Sequence, residues 1–277
     1  MPGARAMRST VQSIPNAAWT DLVYSGTRWN DEAMWAAGNP SRLTTAAAGL
    51  HIVTANLSFA NNAVGGRFFR VLSNGARTEA MVAHAPGGGV ETEASVSTLV
   101  NSAVGDYYVA GVWQNSGAAL NTASAGQPYA ADLAITRLAS GLLAAKRESA
   151  AAQSIPAGVW TALTCDTTAF AVGMAASGNS LVAPSDGTYA IFAGAYLAAA
   201  AGIVAAQDMA ILIDGQYFAL SAPGTSAGSW TAWSLVATVP MVAGQTVTAA
   251  IYQATGAARL TDVASLRPYL AMARIGP

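Results

Sequence analysis

The chain has 277 residues, of which 64 are alanine and 27 glycine, against 27 charged side chains and a formal charge of −1. A charged fraction of 10%, where a soluble domain carries about 25%, leaves no basic footprint for nucleic acid. No apolar run reaches the ~18 residues of a membrane helix, so neither nucleic acid nor membrane is an expected partner.

Residues 1–10 carry Arg5 and Arg8 but no apolar stretch of the kind a secretory signal needs. They read as an N-terminal arm, either disordered or free to dock on an acidic partner through those two arginines. Together with Cys165, a lone cysteine that can close no intrachain disulfide, this predicts a protein assembled in a cytosol. Strand signals follow. Residues 49–59 are β-branched and apolar with polar residues interleaved, and 68–73 run into Asn74-Gly75, the dipeptide that best accepts the positive φ angles of a hairpin. Residues 95–100 and 107–113 read as a second antiparallel pair joined by a short turn. The segment 139–151 is alanine-rich and holds Lys146, Arg147 and Glu148; it reads as a short helix or a plain linker, since its residues are good helix formers but few. Beyond it, 189–196, 209–213, 234–239 and 246–252 repeat the strand signals.

The repetition is specific. Gln12-Ser13-Ile14-Pro15 followed by Trp19 returns as Gln153-Ser154-Ile155-Pro156 followed by Trp160, 141 residues on. Asn74-Gly75 returns as Asp214-Gly215, Gly105 as Gly244 and Gln114 as Gln253, at intervals of 140 and 139. Landmarks kept in order at a nearly constant interval predict two domains of one kind, 11–138 and 152–277. About eight short strands in each, separated by Gly, Asn, Asp and Pro, predict an all-β chain of two tandem antiparallel jelly-roll sandwiches.

Reactive groups are sparse. His51 alternates with Ile52 inside the strand 49–59 and reads as a structural imidazole; His84, before the triple glycine 87–89, reads as a surface residue. Neither lies at metal-ligand spacing from another His or Cys, and the glycines lack the Gly-Lys-Ser/Thr of a phosphate cradle. Asp31-Glu32 and Glu91/Glu93 match no calcium loop. The segment 152–277 has no Glu at all, against the carboxylate pair of a glycosidase. We therefore expect no cofactor, no metal and no catalysis. Trp19 and Trp160, equivalent in the repeat, suit a shared core or interface role. Trp29 and Trp35 flank an acidic loop and Trp230 and Trp233 share one segment, so each pair is a candidate to face a neighbouring subunit or a glycan.

The segments QSIP with Trp19-Thr20, GNPSRLT, VTAN, the Asn74-Gly75 turn, SVST with Gly105-Asp106-Tyr107, and QNSGAALN, spanning Gln12 to Asn121, resemble bacterial and phage versions of the complement-type globular head domain, a jelly roll related to the tumour necrosis factor fold. The second half lacks several of these segments, and its resemblance rests on the internal repeat. The resemblance implies a homotrimer serving as a binding or structural head. It implies a virion protein assembled in the host cytoplasm: a capsid decoration or a head or tail fibre subunit, with major capsid or tail proteins as partners, or else a module binding a host surface glycan at a fibre tip. Sparse charge agrees with a surface covered by other protein, as it does with an alanine-rich genome.

Overall fold

A computed structural model describes residues 2–86, 90–123, 131–198, 206–221 and 231–277. The chain divides into two compact units, Met1–Leu138 and Ala139–Pro277. Among the described residues both are built of strands alone.

Unit 1 contains β1 (Gly3–Arg8), β2 (Ser13–Ile14), β3 (Thr20–Asp21), β4 (Gly26–Asn30), β5 (Arg42–Thr44), β6 (Gly49–Phe59), β7 (Arg67–Ser73), β8 (Arg77–His84), β9 (Thr92–Ser102), β10 (Tyr107–Gln114), β11 (Leu120–Asn121) and β12 (Ala131–Arg137). One sheet runs β4-β1-β12-β6-β9 and the other β3-β10-β7-β8, with β5 also on β10. Register aligns the core face: Ala6 lies opposite Leu133, Leu133 opposite Ala55 and Ala55 opposite Val96. Phe69 and Val71 of β7, with Ala110 and Val112 of β10, line the facing sheet, and all eight are buried. Alternation along each strand is what puts one side chain in two into this layer.

Unit 2 repeats the plan with β13 (Ala144–Glu148), β14 (Ser154–Ile155), β15 (Thr161–Ala162), β16 (Thr167–Val172), β17 (Ala176–Ser177), β18 (Ser180–Val182), β19 (Gly187–Leu197), β20 (Gln207–Ile213), β21 (Gln216–Ser221), β22 (Thr231–Met241), β23 (Thr246–Gln253), β24 (Arg259–Leu260) and β25 (Tyr269–Gly276). Its sheets are β16-β13-β25-β19-β22 and β17-β18-β23-β20-β21, with β15 on β23. Apart from the added β17 on β18, this is the order of unit 1, so the fold is two tandem antiparallel jelly-roll sandwiches. Ile191, Ala193, Leu270 and Met272 of one sheet and Met209, Ile211 and Ile251 of the other form its core, closed by Trp233 and Leu235.

Three expectations about local structure are corrected. Residues 1–10 are not a free arm, because β1 pairs with β12 on one side and β4 on the other, and its Ala4 and Ala6 are fully buried. Residues 139–151 are neither helix nor linker: they supply β13, the counterpart of β1, between β25 and β16. Helix formers there yield to the hydrogen bonds that two neighbouring strands offer. Finally, β9 and β10 do not pair with each other; β9 lies beside β6 and β10 beside β7, so the turn at 103–106 carries the chain from one layer to the other. β7–β8 and β20–β21 are hairpins, and Asn74-Gly75 (φ 51° and 69°) and Asp214-Gly215 (φ 49° and 78°) turn them.

Candidate functional site

The arginines of the expected docking arm are engaged inside unit 1. Arg5 stands on the outer face of its sheet, 2.5 Å from the Asp132 carboxylate, which also accepts from Asn56 Nδ2 at 2.9 Å. Arg8 closes the strand end by donating to the carbonyls of Val23 and Val11 at 2.5 and 2.7 Å. Trp29 of β4 lies opposite Arg5, whose guanidinium sits 5.9 Å from its ring. Trp35 belongs to a loop tied by Asn30, which donates to Trp35 O and accepts from Trp35 N, while its indole donates to Pro40 O at 3.3 Å. Each ring thus has its own intramolecular partner, and no common ring-to-ring contact joins the two. Trp233 is 1% exposed, a core residue of unit 2 and not a surface ring: it occupies a core-facing position of β22, two residues before Leu235. Trp230 and the glycines 87–89 lie outside the described residues.

The titratable groups are held structurally. His51 is fully buried, Nδ1 donating to Gly49 O at 2.9 Å, and burial lowers its pKa. His84 ends β8 opposite Arg67 and is half-buried, so it is no simple surface residue; burial lowers its pKa too. Glu32 pairs with Arg137 at 2.6 Å and Glu91 accepts from Ser58 at 3.0 Å. Lys146 and Glu148 are 3.4 Å apart on β13, with Lys146 over the Tyr269 ring. Among the described residues no three His, Cys, Asp or Glu side chains stand together as a metal would need.

What the sheets do bring together are aromatic rings on the outer face of the second sheet of each unit. In unit 1, Trp19 is 41% exposed, so of the core or interface role that its place in the repeat suggested, the core does not apply. It meets Phe68 edge-on at 6.4 Å, and Phe68 meets Trp113 at 5.2 Å. The Arg70 guanidinium lies 3.7 Å from the Trp19 centroid. Gly111 permits this: a Cβ there would stand 3.3 Å from Arg70 Nε and 3.7 Å from Trp19. Asp21 lies opposite Gly111; burial raises its pKa and the Arg70 charge opposes the rise.

In unit 2 the matching row is made of alanines. Ala162, Ala250 and Ala210 lie opposite one another across β15, β23 and β20, where unit 1 has Asp21, Gly111 and Arg70. The Trp160 ring meets Tyr217 at 5.1 Å and Tyr252 at 5.6 Å. Asp208 lies opposite Tyr252. Sequence reading singled out neither tyrosine nor Asp208, because 91 residues separate Trp160 from Tyr252 and only strand register makes them neighbours. The available signal was the repeat itself, applied to Arg70 and Gly111.

No family model matches the chain, and no curated protein sequence does. Among solved structures, one unit's worth of the chain is similar to murine APRIL (10% identity, 48% of this chain and 98% of that one, TM-score 0.38) and to the Eiger tumour necrosis factor of S. frugiperda (8%, 49% and 94%, TM-score 0.36). Nearly the full chain is similar to PNGF-II (9%, 96% and 65%, TM-score 0.35). Likeness of this degree carries no argument about what the chain does.

Proposed function

We propose that this chain is a non-catalytic structural subunit of a phage virion, a homotrimeric capsid decoration or head or tail fibre component built from two complement-type head domains. The observation that carries the reading is where the charges are used. Arg5, Arg137 and Lys146 are spent on carboxylates of their own unit. Arg67, 1% exposed, donates to the carbonyls of Asn62, Val64 and Gly66, and Arg259 donates to Gln207 and Ala198. Large apolar side chains stand in solvent instead, among them Val64, Val90, Val104, Val159, Val242 and Leu260. A surface depleted of free charge and studded with apolar groups suits a permanent protein interface. The resemblance of residues 12–121 to bacterial and phage head domains supports the virion and the three-fold assembly in the host cytoplasm.

Light scattering on the full chain tests self-association: three chain masses are expected, and a monodisperse monomer that never binds particles would sink the reading. Mass spectrometry of purified particles then separates decoration, with hundreds of copies, from a fibre, with few.

A further inference from the structure

We propose that the outer face of the second sheet of unit 2 binds a neutral pyranose sugar, stacked on Trp160 and Tyr252 and hydrogen-bonded to Asp208. A sugar ring has two kinds of surface, an apolar face of C–H groups and a rim of hydroxyls, and this site offers a partner for each. Trp160, Tyr217 and Tyr252 form one continuous aromatic group. Ala210 and Ala250 point outward on the same face of the sheet and are nevertheless 0% and 4% exposed, so this face is covered there. Tyr217 remains 58% exposed and Leu220, beside it on β21, 59%, so the group is open to solvent from above. Aromatic faces carry negative charge and accept polarised C–H groups.

The hydrogen-bonding rim is Asp208. It is opposite Tyr252 on the same face, and among the described residues nothing donates to its carboxylate. Its pKa is raised, by burial alone, with no cation acting on it. That detail chooses between occupants. An apolar protein face seated here would remove Asp208 from water without returning a hydrogen bond, which is costly for a carboxylate. An acidic sugar would meet a like charge. Neutral hydroxyls donate to the carboxylate and leave the rings their stacking surface. Unit 1 is the internal contrast: at the same place Arg70 already lies over a face of Trp19, so that face is taken. Replacing Arg70 by its counterpart Ala210 is what opens the site in unit 2.

The test is calorimetric titration of the full chain with cellohexaose, laminarihexaose, mannohexaose and chitohexaose, with light scattering alongside. At least one should bind, Trp160→Ala should weaken it about tenfold or more, and Asp208→Asn, which leaves the rings and fold in place, should weaken it several-fold. Trp19→Ala in unit 1 should not matter. The proposal is overturned if none of the four binds at millimolar concentration, if affinity survives both Trp160→Ala and Asp208→Asn, or if Trp160→Ala dissociates an oligomer that binds no sugar, which would make this face a contact between copies.

Discussion

Gln114 and Gln253, 139 residues apart, make the same three hydrogen bonds in the two units. Gln114 donates to Ile14 O at 3.0 Å and Ala118 O at 2.8 Å and accepts from Ser116 N at 2.7 Å. Gln253 donates to Ile155 O and Ala257 O, both at 2.9 Å, and accepts from Thr255 N at 2.8 Å. Both side chains are fully buried. They pin the segment that opens each unit to the turn after its β10 or β23. Only an amide offers two donors and an acceptor in this arrangement. Gln114→Met or Gln253→Met takes the side-chain partner from the Ile14 or Ile155 carbonyl and from the Ser116 or Thr255 N–H, while the Ala118 or Ala257 carbonyl keeps the hydroxyl of Ser116 or Thr255, and is expected to cost about 2 kcal/mol, seen as a lowered midpoint in urea unfolding. A change below ~0.5 kcal/mol would deny the residue this role.

Because β1 is a strand between two others, deleting residues 1–8 should unfold unit 1 and not merely detach a tail. Its removal exposes the edges of β12 and β4 together and strips Arg5 from Asp132, whose side chain is 8% exposed. Arg5→Ala alone is expected to cost about 1–3 kcal/mol, since it leaves that carboxylate with less than it needs. Circular dichroism of the truncated chain showing undiminished strand content and an unchanged melt would restore the free-arm picture.

Much of the architecture was legible because paired landmarks have paired jobs. Gln12 and Gln153 each donate to a carbonyl nine residues on, Asp21 O and Ala162 O at 2.8 Å, and each takes Thr122 or Thr261 Oγ1 as the acceptor for its own N–H. Asn74 and Asp214 each accept from the N–H that begins the next strand but two, Tyr107 or Thr246. Such groups are recognisable in sequence because their chemistry is not replaceable. What stayed hidden was written in alanine. Ala4 and Ala6 fill core positions that Val or Ile would have advertised, and Ala144 and Ala145 do so beside three helix-forming charged residues. The aromatic group on unit 2 was hidden for another reason: it depends on which strands become neighbours, and alternation predicts a strand without naming its partner.

Trp29 and Trp233, both candidates from the sequence to face a neighbour, should separate cleanly. Trp233, in the core of unit 2, is expected to cost about 3–5 kcal/mol when replaced by Ala. Trp29, half-buried and meeting Arg5 at 5.9 Å, should cost about 1 kcal/mol. Chemical unfolding of the two variants would decide this, and equal losses would contradict the placement.

Unit 1 should lose stability on mild acidification. Burial holds the His51 and His84 pKa values below the usual imidazole value, and His51 Nε2 is buried with no hydrogen-bond partner. Between the folded and unfolded pKa values the unfolded chain binds more protons, so the stability present above about pH 6.5 is lost progressively as pH falls through that value towards the folded one. The melting temperature of the wild type should therefore drop from about pH 7.5 to about pH 5.5, and His51→Gln with His84→Gln should flatten the drop. An unchanged slope in the double variant would assign the pH dependence to other groups.

Cys165 should be silent until unit 2 unfolds. It is 1% exposed, and burial pushes its thiol up to about 12 despite the nearby Arg147 charge. Arg147 Nε is meanwhile committed to the Cys165 carbonyl at 2.6 Å. The thiolate is the reactive form, so near pH 8 the native chain presents almost none of it, and the reagent has no path to the sulfur. Labelling with a chromogenic disulfide should proceed only at the rate of opening, stay orders of magnitude slower than for a free thiol, and accelerate sharply in denaturant at the unfolding midpoint of unit 2. Stoichiometric labelling within seconds in native buffer would show that the sheet beside Thr164 and Asp166 opens far more readily than its packing allows.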